Sequence, residues 1–269
     1  MTNHRVGFIG AGQMATALGK GFVKAGLVAA HSICASDPQE AARTRFAQAT
    51  GAATFAENSA VLQHADIVFL AVKPQQMAAI TANLASEIRE DQLVVSVAAG
   101  VRIAAIEAIL GEQVRLVRVM PNAPCLVGKG AFGFSLGKAA KSSDGTLVGQ
   151  LLSGVGLAYE VEEDLLDAVT GLSGSGPAFV YTVIEAMSDG GVRMGLPRKI
   201  ATALAAQTVL GAAQVVLDSG EHIGALRDHV TSPGGTTMAG IQALEEYGLR
   251  AALMAAVEAA TERSIELGM

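Results

Sequence analysis

The residues with the clearest chemical meaning lie at two glycine-rich turns. The run Val6-Gly7-Phe8-Ile9 is apolar and leads at once into Gly10-Ala11-Gly12-Gln13-Met14-Ala15, after which a helical pattern spans Thr16 to Ala25 and stops at Gly26. In a dinucleotide-binding turn the first glycine permits the sharp reversal. The second lets the backbone approach a pyrophosphate, and a third small residue lets helix and strand pack. Gly10, Gly12 and Ala15 fill those places, and the amides at the helix start would face phosphate oxygens. The second turn, Thr231-Ser232-Pro233-Gly234-Gly235-Thr236-Thr237, precedes a pattern read as one last helix, Met238 to Leu267. Glycines and hydroxyls at a helix start expose several N–H groups in a partly positive field, which suits a carboxylate or phosphate. An N-cap by Ser232 or Thr236 on a glycine loop is the plain structural alternative.

The second half of the chain is poor in proton donors. After residue 160, Lys199 is the only lysine and His222 and His229 are the only histidines, each histidine reading first as a surface or capping residue. Carbonyl reduction wants a strong acid beside the reacting oxygen, whereas an already protonated imine needs a hydride and a hydrogen bond to its nitrogen. The sparse second half therefore points to C=N chemistry. The cofactor's identity turns on Ala35-Ser36-Asp37-Pro38. A carboxylate there accepts from adenosine ribose hydroxyls and favours NAD; a serine with Arg43 or Arg45 nearby favours NADP. Asp37 before proline equally fits a turn or N-cap. Lys73, in Ala71-Val72-Lys73-Pro74-Gln75, is placed to meet cofactor phosphate or ribose or to stand solvated beside a helix-starting proline. Small residues in Ser96 to Gly100 and in Met120 to Pro124 leave room for a flat nicotinamide ring.

These groups need a sheet to hold them. Arg5 to Ile9, Ser32 to Ser36, Asp66 to Val72, Gln92 to Ala98 and Val114 to Met120 are strand candidates separated by helical stretches, the pattern of a parallel sheet covered by helices. The third and fourth are nearly continuous apolar runs, as strands buried on both faces should be. After about Glu160 the strand signal ends, and helices follow with breaks at Gly174 to Pro177, Gly195 to Pro197, Ser219-Gly220 and Ser232 to Gly235. The expected fold is α/β, a Rossmann-type parallel-sheet domain over residues 1–162 and an all-α domain over residues 163–269. The second domain is rich in small side chains that leave little bulk for an independent core, so a second copy is expected to complete it.

Among 269 residues, 19 Lys plus Arg against 25 Asp plus Glu give a net charge of −6, which offers no general attraction for nucleic acid. Only 16% of residues are charged and 51% are apolar, which excludes disorder. Cys34 and Cys125 show no metal-site or disulfide spacing, so no metal is expected. The uncharged run Ile200 to Leu217 approaches the length of a membrane span, but its Thr, Gln, Gly and Ala content reads as a helix buried in a core or subunit interface. No export signal is read at the amino terminus, and the expected location is the cytoplasm.

Seven blocks together carry a resemblance: Gly7 to Met14, Ala71 to Gln75, Ser96 to Gly100, Val119 to Asn122, Val169 to Pro177, Asp189 to Val192 and Thr231 to Thr237. In order and over nearly the whole chain, they resemble pyrroline-5-carboxylate reductase; the last block is the most specific. The resemblance implies reduction of L-1-pyrroline-5-carboxylate to L-proline with NADP(H) or NAD(H). It implies a substrate carboxylate on the amides of Gly235 and Thr236, with the Thr237 hydroxyl on the ring nitrogen as the candidate catalytic group. Glu163 matches a residue near the substrate, although a solvated acidic turn is the simpler reading of its neighbours. Dinucleotide contacts would fall on Ile9, Gly10, Ala11, Gly12, Gln13, Met14, Ser36, Asp37, Asn58, Ala71, Val72, Lys73, Pro74, Val97, Ala98 and Ala99. Relatives form dimers through interlocked helical domains, commonly built into decamer rings. Two departures stand out. Asp37 lies where many relatives carry an uncharged or basic residue, and His229, where asparagine is frequent, is a candidate contact for the nicotinamide end across the dimer.

Overall fold

The structure, a computed structural model, describes residues 4–268. The opening Met1-Thr2-Asn3, part of the stretch read for an export signal, lies outside them. The chain forms two compact units, residues 1–175 with 259–269 and residues 176–258. The sequence boundary at 162/163 falls earlier, because the segment after Glu160 still packs against the sheet before the helical unit begins.

The first unit alternates strands and helices: β1 Val6–Ile9, α1 Gln13–Lys24, β2 Ile33–Ser36, α2 Glu40–Thr50, β3 Ala53–Phe55, α3 Asn58–His64 and β4 Ile67–Leu70. It continues through α4 Met77–Leu84, β5 Leu93–Ser96, α5 Ile103–Leu110, β6 Arg115–Met120, β7 Gly130–Leu136, α6 Ser142–Ser153, β8 Gly156–Glu160 and the short α7 Leu166–Val169. Every residue of β1, β2, β4 and β5 is buried, which explains their continuous apolar character. The strands form one sheet in the order β3-β2-β1-β4-β5-β6-β7-β8. All neighbours are parallel except β6 and β7, which pair antiparallel with Val119 opposite Phe134.

Successive strand residues point to opposite faces, so the sheet carries two cores. One is aromatic, with Phe8 and Phe69 stacked at 5.0 Å between ring centroids and Phe22 and Phe46 closing around them. The other is aliphatic, built on Ile9, Val68, Leu70, Val94 and Leu116. Burying each large side chain contributes roughly 2–3 kcal/mol. This bulk holds the sheet rigid beneath the turns at its carboxyl edge. Strand order reverses between β1 and β4, and a crevice opens at that edge where successive connections leave on opposite sides.

The second unit contains α8 Gly176–Arg193, α9 Arg198–Ser219, α10 Ile223–His229, α11 Thr236–Glu246 and the start of α12 Leu249–Gly268. The breaks expected from sequence are present: Pro177 sits in the first turn of α8, Gly195 turns at φ +99°, and Gly220 ends α9 at φ +65°. One expectation is corrected. The pattern from Met238 to Leu267 is two helices, because Gly248 takes φ +71° and ends the first. Inside the unit α8 and α9 approach closely at Gly191 and Ala201, and Ser188 bonds both Thr202 and Arg198. Among the described residues α9 is the one helix long and apolar enough to cross a membrane, with mean hydropathy 1.7 and 11% of that stretch buried.

Candidate functional site

Gly10 and Gly12 differ in what they require. Gly10 sits at φ +96°, and a Cβ there would meet the Ala71 carbonyl oxygen at 2.8 Å. Its N–H donates to the Ser36 carbonyl at 2.8 Å, so the turn is stitched to β2 as it leaves β1. Gly12 has ordinary φ −73°, and a Cβ there would meet nothing within 4 Å. Its lack of a side chain leaves open space at the start of α1. No side chain caps that helix start, so its first amides keep their positive field for a ligand. Open space, uncapped amides and a glycine-only reversal fit a dinucleotide pyrophosphate. Ala15 and Ala17 are buried, as close packing of α1 on the sheet demands.

Around this turn the predicted cofactor residues converge. The carboxylate of Asp37 accepts from the Ala11 N–H at 3.0 Å and from the Gln39 N–H at 2.9 Å. It thereby fixes the fingerprint turn and makes an Asx turn into α2. Ser36 is buried, and its hydroxyl donates to the Asn58 side-chain oxygen at 2.7 Å. Arg43 donates to the carbonyl oxygens of Asp37 and Pro38, at 2.8 and 3.1 Å. Ala71 and Val72 leave β4 beside Gly10, Lys73 is exposed, and Pro74 opens a short 3-10 turn, as its fixed φ favours.

A cavity of about 290 Å³ lies beside α1 at the carboxyl ends of β5 and β6. Gln13 and Met14 of the fingerprint, Val97 and Ala99 after β5, Met120 at the end of β6 and Asn122 after it line the cavity. Ala98 is buried beneath. Its apolar wall and two amide side chains suit a flat, weakly polar ring. Asn122 is fully engaged: its amide donates to the Ser173 carbonyl at 3.0 Å and its oxygen accepts from the Ala131 N–H at 2.9 Å. It clamps the cavity floor. Local spacing does not reveal that role, since both partners are distant in sequence.

The thiols contribute no nucleophile. Burial pushes both Cys34 and Cys125 up to about 11, and Cys125 sits 3.6 Å from the Met14 sulfur behind the cavity wall. Among the described residues no group of three or more His, Cys, Asp or Glu is gathered to hold a metal.

Glu163 was expected beside the substrate. In the structure its Oε1 accepts from the Ile103 N–H at 2.7 Å and from the buried Arg118 guanidinium at 2.8 Å. It caps α5 and ties β6 to the segment following β8. Neighbouring Arg102 pairs with Asp164 at 2.9 Å, and Asp167 accepts from the Ser264 hydroxyl at 2.6 Å.

In the second unit the Thr231 to Thr237 loop is folded as a tight turn. Gly234 takes φ +67°, and the Gly235 N–H donates to the Ser232 carbonyl at 3.0 Å. The Gly235 amide expected to meet an anion is therefore already used. The donors at this mouth are instead those of the first turn of α11, Thr236, Thr237 and Met238, and no side chain caps them. A Cβ at Gly235 would press on the Ser232 hydroxyl, which can rotate away, and would stand 3.1 Å from the Ser232 carbonyl oxygen. His222 accepts from the Gly224 N–H and caps α10, while His229 is exposed, 3.8 Å from Glu221.

Comparison with known proteins covers both parts of the chain. Residues 163–267 match the family model described as pyrroline-5-carboxylate reductase dimerisation, and residues 5–100 match NADP oxidoreductase coenzyme F420-dependent. A pyrroline-5-carboxylate reductase of Methanosarcina acetivorans is 50% identical over 268 residues, covering 100% of this chain and 99% of the relative. The solved pyrroline-5-carboxylate reductase of Coxiella burnetii superposes with a TM-score of 0.94 at 35% identity, covering 100% of both chains. That of Plasmodium falciparum, solved with NADP bound, superposes with a TM-score of 0.87 at 33% identity over 100% of both chains.

Proposed function

The chain belongs to the pyrroline-5-carboxylate reductase family, and we propose that residues 1–162 hold the dinucleotide while Thr236 and Thr237 of the segment 163–269 hold the substrate. The enzyme is an NAD(P)H-dependent oxidoreductase acting on a C=N bond. It reduces L-1-pyrroline-5-carboxylate to L-proline, the last step of proline biosynthesis. The nicotinamide cofactor supplies the hydride when bound.

The protein's own part is binding and orientation. Gly10, Gly12 and the amides of Gln13 and Met14 seat the pyrophosphate; Asp37, Ser36 and Asn58 shape the adenosine end. Ile9, Ala11, Ala71, Val72, Lys73 and Pro74 border it at the sheet edge, and Val97 to Ala99 close the cavity for the ring. The first amides of α11 accept the substrate carboxylate in the positive field of a helix start. The Thr237 hydroxyl bonds the ring nitrogen, where it fixes the imine's orientation and passes a proton to or from water. Glu163 acts from behind, through Arg118 and the start of α5, and His229 faces the partner copy. The observation that carries this reading is the uncapped start of α11 beside Gly235, whose own N–H is satisfied inside the turn.

The family's dimerisation model spans α8 to α12, which supports a second copy rather than lipid over the apolar surface of α9; a further assembly of such dimers into a ring is part of the proposal. We place the enzyme in the cytoplasm, and its net charge of −6 gives nucleic acid no hold. Steady-state kinetics on Thr237→Ala test the assignment. Loss of one hydrogen bond to the reacting nitrogen should lower kcat/KM by one to two orders of magnitude, about 1.4–2.7 kcal/mol, with Thr237→Ser recovering most of it. Unchanged kinetics would remove Thr237 from the mechanism.

A further inference from the structure

Three groups near the end of β2 bear on which dinucleotide the chain prefers, and the structure shows what each is doing. Ser36 is buried and donates its hydroxyl to Asn58 at 2.7 Å, so it is turned inward. Arg43 bonds the carbonyl oxygens of Asp37 and Pro38 rather than the Asp37 carboxylate, which leaves that charge without an ion pair among the described residues. Asp37 is held from both sides, by the Ala11 N–H at 3.0 Å and the Gln39 N–H at 2.9 Å. Swinging the carboxylate away would strand the amide of Ala11, a buried residue inside the fingerprint turn. A fixed negative charge at this strand end accepts ribose hydroxyls and repels a phosphate esterified to one of them.

We infer that Asp37, locked between the fingerprint turn and the start of α2, makes this chain bind NADH in preference to NADPH. The inference rests on the dinucleotide role proposed above for the first unit. Asp37 does two jobs with one side chain: it braces the turn that receives the pyrophosphate, and it sorts cofactors at the adenosine ribose. That coupling explains why a carboxylate can stand at this position in a chain whose family model is described by NADP.

Equilibrium titration of the full-length protein with NADH and with NADPH, followed by nicotinamide fluorescence, tests this without turnover. NADH should bind about tenfold tighter, the effect expected of one like-charge contact near a protein surface. Asp37→Asn keeps an oxygen for the Ala11 amide and should bring the two affinities within about threefold, chiefly by tightening NADPH. As a readout needing no variant, 5′-ADP should displace bound NADH more effectively than 2′,5′-ADP from the unmodified protein. Equal or tighter binding of NADPH would show that Arg43 governs the pocket and would overturn the inference. So would an unchanged ratio in Asp37→Asn. Failure of both dinucleotides to bind would overturn the proposed role of the first unit, and this inference with it.

Discussion

Replacing each of the two fingerprint glycines by alanine should separate folding from ligand binding. At Gly10 the backbone stands at φ +96°, and the new Cβ would lie 2.8 Å from the Ala71 carbonyl oxygen, a backbone atom that cannot rotate away. The left-handed conformation costs about 1 kcal/mol for alanine, and relieving the overlap adds roughly 1–2 kcal/mol, giving about 2–3 kcal/mol of lost stability. At Gly12 the φ of −73° suits any residue and the Cβ has nothing within 4 Å. Stability there should change by less than about 0.5 kcal/mol. The added methyl would instead stand where a pyrophosphate must approach. Losing two charge-assisted hydrogen bonds to backbone amides costs about 3 kcal/mol, or roughly a hundredfold in Kd. Urea unfolding of both variants, paired with dinucleotide titration, measures the two effects separately. The reasoning is refuted if Gly12→Ala unfolds more than about 1 kcal/mol more easily, or binds dinucleotide as tightly as the parent.

Two further outcomes rest on buried groups of the first unit. Arg118→Met should destabilise the protein by about 3 kcal/mol, because it leaves Glu163 without its buried partner, and adding Glu163→Gln should restore part of that loss in a double-mutant cycle by urea unfolding. Burial raises both thiols from an ordinary value near 9 to about 11, so the folded state holds these protons more tightly than the unfolded chain. Their contribution is complete below pH 9 and is lost as pH rises from 9 toward 11. Cys34→Ala should therefore flatten the alkaline loss of stability by an amount of order 2 kcal/mol, read as the difference between unfolding at pH 8 and at high pH.

The strands that build the cofactor crevice were legible because burial on both faces leaves an unbroken apolar run, as in Ile67 to Leu70. β3, β7 and β8 were not. β3 is three partly exposed residues at a sheet edge, and β7 carries two glycines in Gly130–Leu136, so it shows no continuous apolar run. The division within Met238 to Leu267 was hidden because Gly248 sits in an alanine-rich stretch whose periodicity continues on both sides. At the candidate site, glycine spacing marked the turn before α1 and the loop before α11. The bonds from Ala11 to Asp37, from Arg118 to Glu163, and from Asn122 to Ser173 and Ala131 join distant positions, and no local pattern announces them. Nor does local spacing show that the Gly235 N–H is taken up by a turn bond to the Ser232 carbonyl.

The most direct measurement is a crystal structure of the full-length protein grown with L-proline. The product's carboxylate should accept from the N–H groups of Thr236 and Thr237 at roughly 2.7–3.2 Å, with the ring nitrogen facing the Thr237 hydroxyl. A carboxylate bound to side chains elsewhere, with the first turn of α11 closed by a hydroxyl of its own loop, would contradict the account.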